Sequence, residues 1–327
     1  MTSSAPRLVV GADIGGSTVD AVVVDASNEI VASVARPTAT DDADRVLASA
    51  TEAIAAALDE SPVSAGSIEA IGVGVPGQVD RAGGSERLAL NLNIGDEDFP
   101  IGPKIEAEFG IRTAIENDVR ADALGAWQML GEPGLVGSRN VRVLAYLGIG
   151  SGISAGLVIE GRLHRGRAGM AGEIGHVVVS GGPRCRCGLD GCLEAVAAGP
   201  AIGRLWPSAR GRPAEDLFGA AAEGDPEAAR VAAGVADHLA AAVQLVAFAY
   251  DPDLVVLGGG VGSIGDPLLT ALRSSLAASA QRSPLVRSMV PPERLTSMPR
   301  GLAIGAIGAA AVARDRFGGD GGGVHPT

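Results

Sequence analysis

Two stretches of this chain, 135 residues apart, carry one pattern of a strand, a glycine-rich turn and a second strand. The first runs Leu8-Val-Val-Gly-Ala, then Asp13-Ile-Gly-Gly-Ser17, then Ala21-Val-Val-Val-Asp25. The second runs Val141-Arg-Val-Leu-Ala-Tyr-Leu, then Gly148-Ile-Gly-Ser-Gly152, then Ala155-Gly-Leu-Val-Ile-Glu160. Asp13 to Ser17 aligns with Gly148 to Gly152, and Val22 to Asp25 with Leu157 to Glu160, at that single offset. Such a repeat predicts two similarly built α/β lobes and not a tandem solenoid. The competing reading is that glycine turns between strands resemble one another by chance. A chain of 327 residues is long for one core and comfortable for two.

Further elements follow from periodicity. Ile30-Val-Ala-Ser-Val reads as a strand, Asp41 to Leu58 as an Ala-rich helix, and Ile68 to Val75 as a buried strand ending at Pro76-Gly77. Ile101 to Phe109 reads as a short helix and Arg112 to Ile115 as a short strand, after which Asn117 or Asp118 caps a helix through Trp127. Asp216 to Ala249 reads as long helices, Asp253 to Leu257 as a buried strand, and Leu302 to Arg314 as a helix of small residues. The expected organisation is an N-terminal lobe over 1–117, completed by a C-terminal helix at about 302–316, and a C-terminal lobe over 118–301. A Gly-rich, disordered tail is expected over 317–327.

Composition removes several function classes. The net charge is −12 and aromatic residues make up 3%, which opposes both phosphate-backbone binding and base stacking by a nucleic-acid partner. The single lysine, Lys104, lies outside any P-loop pattern, so phosphate must be held another way. No run approaches the apolar length of a transmembrane helix and the N-terminus has no signal-peptide core, which predicts a cytoplasmic protein without a membrane partner.

Five groups of residues carry candidate chemistry. In Asp13-Ile-Gly-Gly-Ser17, glycines let backbone amides approach an anion, and the adjacent carboxylate would repel phosphate unless Mg²⁺ lies between. A plain tight turn is the alternative. Gly150-Ser-Gly152 repeats that turn in the second hairpin, and Gly258-Gly-Gly260 after a buried strand suits a flat base or ribose, or else caps a helix. Glu116-Asn-Asp118 stands where an N-cap belongs, which alone accounts for an Asn or Asp. The fifth group is decisive: His176 with Cys185, Cys187 and Cys192 makes a full tetrahedral zinc set, uses all 3 cysteines and leaves no position for a catalytic water. That predicts a structural zinc whose binding orders the loop and fixes the flanking Glu173 and Glu194. Fixed carboxylates suit a polyhydroxylated ligand, since hydroxyls both donate and accept.

From Val10 to about Ala311 the sequence resembles the ROK family, which includes bacterial sugar kinases and sugar-responsive repressors. The resemblance rests on Asp13-Ile-Gly-Gly-Ser17, Val75-Pro-Gly77, Glu116-Asn-Asp118, Gly150-Ser-Gly-Ile153, Ala171-Gly-Glu-Ile-Gly-His176 and the Cys185 to Glu194 cluster. It implies an α/β, actin-like ATPase (ribonuclease H-like) fold, with two lobes around a central cleft. It implies ATP-dependent phosphorylation of a hexose, with Asp118 as general base towards the primary hydroxyl. Gly77, Asn91, Asn117, Asp118, Glu173, His176 and Glu194 would bind the sugar, and His176 would also hold zinc. Asp13, Gly15, Gly16, Ser17 and Thr18 with Gly150, Ser151 and Gly152 would hold MgATP, and Gly258, Gly259 and Gly260 would touch the adenosine. A homodimer is the family's habit.

Two departures stand out. The family's first turn usually reads Gly-Gly-Thr-Lys and here reads Gly16-Ser17-Thr18, while the second usually has Thr where Ser151 stands. Both keep a hydroxyl, but the lost Lys leaves the site less positive and would raise the KM for ATP. Asn91 is preferred to Asn93 as the sugar-binding asparagine. Glucose is the first expected substrate, with N-acetylglucosamine, N-acetylmannosamine, mannose and fructose open, and polyphosphate open as donor. The rival from another class is a sugar-sensing regulator without catalysis. The repressors carry a winged helix ahead of the first phosphate motif, and about seven residues precede the first strand here, so no direct DNA binding is expected. A zinc-finger interaction module would want basic flanks, and only Arg184 and Arg186 are present.

Overall fold

The computed structural model describes residues 8–62, 65–129 and 141–318. They form two units, one from 8–129, 163–171 and 303–318, the other from 141–162 and 172–302. In the first unit β1 (Leu8–Ile14), β2 (Thr18–Val24) and β3 (Ile30–Pro37) form an antiparallel meander, and α1 (Ala43–Glu60) follows. Asp42 caps α1 by accepting the Arg45 N–H at 2.9 Å. β4 (Ile68–Val75) then pairs in parallel with β1. A small hairpin follows, β5 (Gln78–Asp80) with β6 (Ser85–Arg87), and then α2 (Ile101–Phe109) leads to β7 (Thr113–Asn117), parallel to β4. The sheet order is β3-β2-β1-β4-β7. Central β1 and β4 are almost wholly buried, which is why they read as unbroken apolar runs, whereas edge strand β3 alternates.

The helix α3 (Asp118–Met129) opens directly on β7. It lies in the first unit, so the lobe boundary expected at Asp118 is corrected.

The second unit repeats the plan. β8 (Val143–Ile149) and β9 (Ile153–Ile159) are antiparallel, and each starts and stops 135 residues after β1 and β2. The two-residue β10 (Arg162–Leu163) ends this meander where the chain passes back to the first unit. After the loop from Gly172 come α4 (Leu193–Ala197), α5 (Gly199–Leu205), α6 (Pro213–Ala222) and α7 (Pro226–Tyr250). The break between α6 and α7 is local: Gly224 takes a left-handed φ of 94°, and Asp225 caps α7 by accepting from Glu227 and Ala228 at 2.9 Å. β11 (Leu254–Gly258) joins β8 in parallel, followed by α8 (Gly259–Gly262), α9 (Asp266–Arg282), α10 (Pro284–Met289) and β12 (Leu295–Ser297). The order β10-β9-β8-β11-β12 matches the first sheet strand for strand.

Helix α7 corrects one expectation. Its 25 residues are long and apolar enough by length and composition to cross a membrane. Half of its most apolar stretch is buried within the protein, where Val235, Leu239, Val243 and Val246 pack in the second unit's core.

The last helix, α11 (Ile304–Phe317), returns to the first unit, and every residue from Ile304 to Ala313 is buried. Glycines make that depth possible. A methyl group on Gly72 of β4 would lie 1.8 Å from Ala309 O, and one on Gly308 would lie 1.8 Å from Ala121 O of α3. Backbone here touches backbone, so nothing can yield locally. Gly308→Ala is therefore expected to cost about 3 kcal/mol or more, read as a lower urea midpoint. Gly219→Ala in α6, where a methyl meets nothing within 4 Å, is the control and should be neutral or stabilising. Residues 319–327, most of the expected tail, lie outside the described residues.

Candidate functional site

The first unit gathers negative charge at the end of β1. Asp13 sits between Gly74 and Gly305: a methyl on Gly74 would lie 2.8 Å from Asp13 Oδ1, and one on Gly305 2.4 Å from Oδ2 and 2.9 Å from Asp122 Oδ1. Only glycine leaves room for these carboxylates. Burial first, then Asp122, Asp118 and Asp20, push the Asp13 carboxyl well above the usual range. Its Oδ1 is enclosed and has no hydrogen-bond partner. An enclosed carboxylate oxygen among other carboxylates fits a cation.

The turn after Asp13 is braced rather than loose. Gly15 N–H donates to Thr18 O at 2.9 Å, Thr38 Oγ1 to Gly15 O at 2.8 Å, and Thr38 N–H to Ser17 O at 3.0 Å. Gly15 and Gly16 are not left-handed, so their contribution is a bare backbone. Gly16 and Ser17 are exposed and Thr18 half-buried. Asn91 Nδ2 lies near Gly16, 3.5 Å from where a methyl would stand, whereas Asn93 spends its amide on Thr40 O at 2.7 Å.

Asn117 and Asp118 divide the labour at the start of α3. Asn117 caps the helix, its Oδ1 accepting Arg120 N–H at 3.2 Å, and its Nδ2 donates to Gly77 O at 3.2 Å. Gly77 is obligatory there, with φ of 81° and Arg87 O only 2.5 Å from any added methyl. Since Asn117 does the capping, the cap requirement does not account for Asp118. Asp118 accepts the Val119 N–H at 2.8 Å on Oδ1 and is also hydrogen-bonded by its own backbone and by the Asn117 side chain, yet burial lifts its carboxyl above the ordinary value. Its Cα lies beside the same Gly74 that borders Asp13.

Behind it, the buried Glu116 accepts from Arg120 Nε at 3.0 Å and Arg165 Nε at 2.6 Å, with Arg81 Nε at 3.4 Å. Burial alone would raise Glu116, but Arg165 and Arg120 hold it below the usual range. This cluster ties β7 and α3 to segment 163–171, whose next residues are Gly172 and Glu173. Glu86 on β6 is wholly buried and is pushed up to about 8 by burial and by Asp118, so at neutral pH it keeps its proton.

In the second unit, two glycines explain how Glu173 and His176 are presented. A methyl on Gly172 would lie 1.8 Å from Ala155 O, and one on Gly175 2.0 Å from Ile153 O. The Gly172–His176 backbone therefore lies flush on β9. Gly172 O also accepts from Ala155 N–H at 2.8 Å and Ser154 Oγ at 3.2 Å. The turn Gly150-Ser151-Gly152 closes with Gly150 N–H donating to Gly152 O at 3.0 Å. Gly152 stands against Glu194, whose Oε2 would be 2.9 Å from an added methyl. Gly258, Gly259 and Gly260 lie beside that turn at the carboxyl end of β11, since a methyl on Gly150 would be 3.9 Å from Gly260 N and one on Gly259 2.6 Å from Ile149 O.

His176, Cys185, Cys187 and Cys192 converge, their ligand atoms all within 4.8 Å of one another. Cys187 Sγ is 3.6 Å from Cys192 Sγ, and Cys185 Sγ is 3.6 Å from His176 Nδ1. Tetrahedral zinc with ordinary Zn–S and Zn–N bonds separates its ligand atoms by about 3.5–3.8 Å, so the set fits. Burial drives the Cys185 thiol up to about 12 and raises Cys192, while the Leu189 N–H draws Cys187 down. Glu194 belongs to the same cluster: Cys185 Sγ donates to its Oε1 at 3.2 Å, and His176 Nδ1 is 3.8 Å from it.

Two neighbours were not anticipated from the sequence. Asp122 follows Asp118 by four residues on one helix face, a spacing that signals it. Glu86 has no local signal, because its burial comes from tertiary packing.

The ROK family model matches residues 9–316. Glucokinase from Thermotoga maritima is 31% identical over 96% of this chain and 100% of its own length. The ROK hexokinase from Thermus thermophilus has a TM-score of 0.71 at 34% identity, covering 94% of this chain and 98% of that one. A ROK family glucokinase from Streptomyces griseus, solved with glucose and AMPPNP, has a TM-score of 0.74 at 27% identity, covering 94% and 99%. The repeated sheets accordingly belong to the actin-like ATPase fold, and with a match across nearly its whole length the chain belongs to the ROK family.

Proposed function

We propose that this chain is an ATP-dependent hexose kinase that phosphorylates the primary 6-hydroxyl, with glucose as its substrate. The observation that carries this reading is the pairing of two carboxylates in the first unit. Asp118, relieved of capping by Asn117, flanks the same glycine as the cation-ready Asp13. A general base and a metal-side carboxylate side by side are what phosphoryl transfer to a hydroxyl requires.

Asp118 accepts the proton as the sugar oxygen attacks the γ-phosphorus, whose bond to the β,γ-bridging oxygen breaks so that ADP leaves with that electron pair. Asn91, Asn117, the Gly77 backbone, Glu173, His176 and Glu194 are the proposed sugar-binding groups. Gly15 to Thr18 and Gly150 to Gly152 present bare backbone and hydroxyls to the phosphates, and Gly258 to Gly260 receive the adenosine. Asp13 would hold Mg²⁺, directly or through water, and when bound that ion neutralises charge on the transferring phosphate. His176 Nδ1 and the three cysteine sulfurs would hold one structural zinc, leaving His176 Nε2 for a sugar hydroxyl. Because Glu194 follows the ligand Cys192 by two residues at the start of α4 and stands against Gly152, fixing the cluster fixes that carboxylate. The reading places the protein in the cytoplasm.

The test is ADP release from MgATP across hexoses and N-acetylhexosamines, with polyphosphate as an alternative donor. Glucose turning over fastest supports the full assignment, and a faster N-acetylhexosamine moves the substrate. Sugar binding without turnover on any sugar would identify a sensor.

A further inference from the structure

Among exposed arginines in the second unit, Arg300 has an unusually fixed guanidinium. Its Nη2 donates to Gly260 O at 3.0 Å and its Nε to Ser263 O at 3.2 Å, while Nη1 meets Glu215 Oε1. Glu215 is itself held through its other oxygen by Arg212 Nη1 at 3.3 Å. Hydrogen bonds to a guanidinium lie near its plane, so these partners occupy the edges and leave the faces. The side chain nevertheless remains 43% exposed.

Its place matters as much as its rigidity. Gly259 and Gly260 are exposed at the carboxyl end of a central parallel strand, where α/β sheets bind ligands. Gly260 opens onto free space, since a methyl there meets nothing within 4 Å, and the Gly150 turn is its neighbour. Tyr146, whose ring packs against Gly258, is buried and offers no face.

We propose that Arg300 is a specificity-determining residue for the nucleotide, its guanidinium forming the planar shelf on which the purine base stacks beside Gly259 and Gly260. The inference rests on the kinase reading and deepens it. Stacking on the shelf gives a donor with a base an advantage that a bare polyphosphate does not receive.

Calorimetry with Mg²⁺ and ADP tests it on the full chain, using Arg300→Leu and, to keep a cation without the plane, Arg300→Lys. Both variants should bind ADP about tenfold more weakly than wild type. Glucose affinity and the inhibition constant of inorganic tripolyphosphate should not move, whereas a merely structural clamp on α8 would shift them. Unchanged ADP affinity in both variants overturns the proposal, as does a parallel loss of tripolyphosphate inhibition. Failure of the wild type to bind ADP would overturn the kinase reading itself, a result distinct from either.

Discussion

Asp118→Asn is expected to lower kcat by about 10²–10⁴-fold, the range general-base catalysis supplies, while glucose affinity stays near wild type. The substitution is nearly isosteric, and the helix keeps its cap because Asn117 provides it. The pH profile gives a second reading. Burial raises the Asp118 carboxyl, and only the ionised form accepts a proton. Turnover should therefore plateau at higher pH and fall as pH drops through that raised value, losing rate earlier than a surface aspartate would. Residual turnover in Asp118→Asn should lack this acid limb. Wild-type kcat in the variant would remove Asp118 from the chemistry.

Cys187→Ser should give the second large effect. Zinc content is expected to fall from about one per chain towards none, and sugar affinity to drop by about tenfold or more as Glu194 and His176 lose their anchor. Cys187 is the exposed member of the set, so serine there disturbs little packing. The core of the second unit is built from α7, β8, β9 and β11 and should survive. Metal analysis and calorimetry with glucose read the two effects separately. A zinc-free variant with full sugar affinity would dismiss the structural role.

Much of this was legible in the sequence because it is local. The 135-residue repeat falls on strand ends residue for residue, since a strand, a bare turn and a strand leave a mark in consecutive positions. The Cys and His spacing likewise converged in space. What escaped depends on contacts distant in sequence. Segment 163–171 joins the first unit through Arg165 meeting Glu116, 49 residues away, and no periodicity announces that. The crowding of Asp13 by Asp122 arises where α11 brings Gly305 against both. Helix α7 was passed over as a long apolar run because its alanines are individually weak signals, although together they form the second unit's spine. Arg300 became visible only through the carbonyls that fix it.

The depth at which α11 is seated also has a consequence for the order of assembly. A ribosome makes β1 and β4 long before residues 304–317, yet Gly72 and Gly11 receive their covering backbone only from that last helix. The second unit's sheet and helices have all emerged by then. The half of the protein synthesised first is thus completed last, and its oldest strands wait with part of one face uncovered through most of translation, when exposed apolar surface favours aggregation.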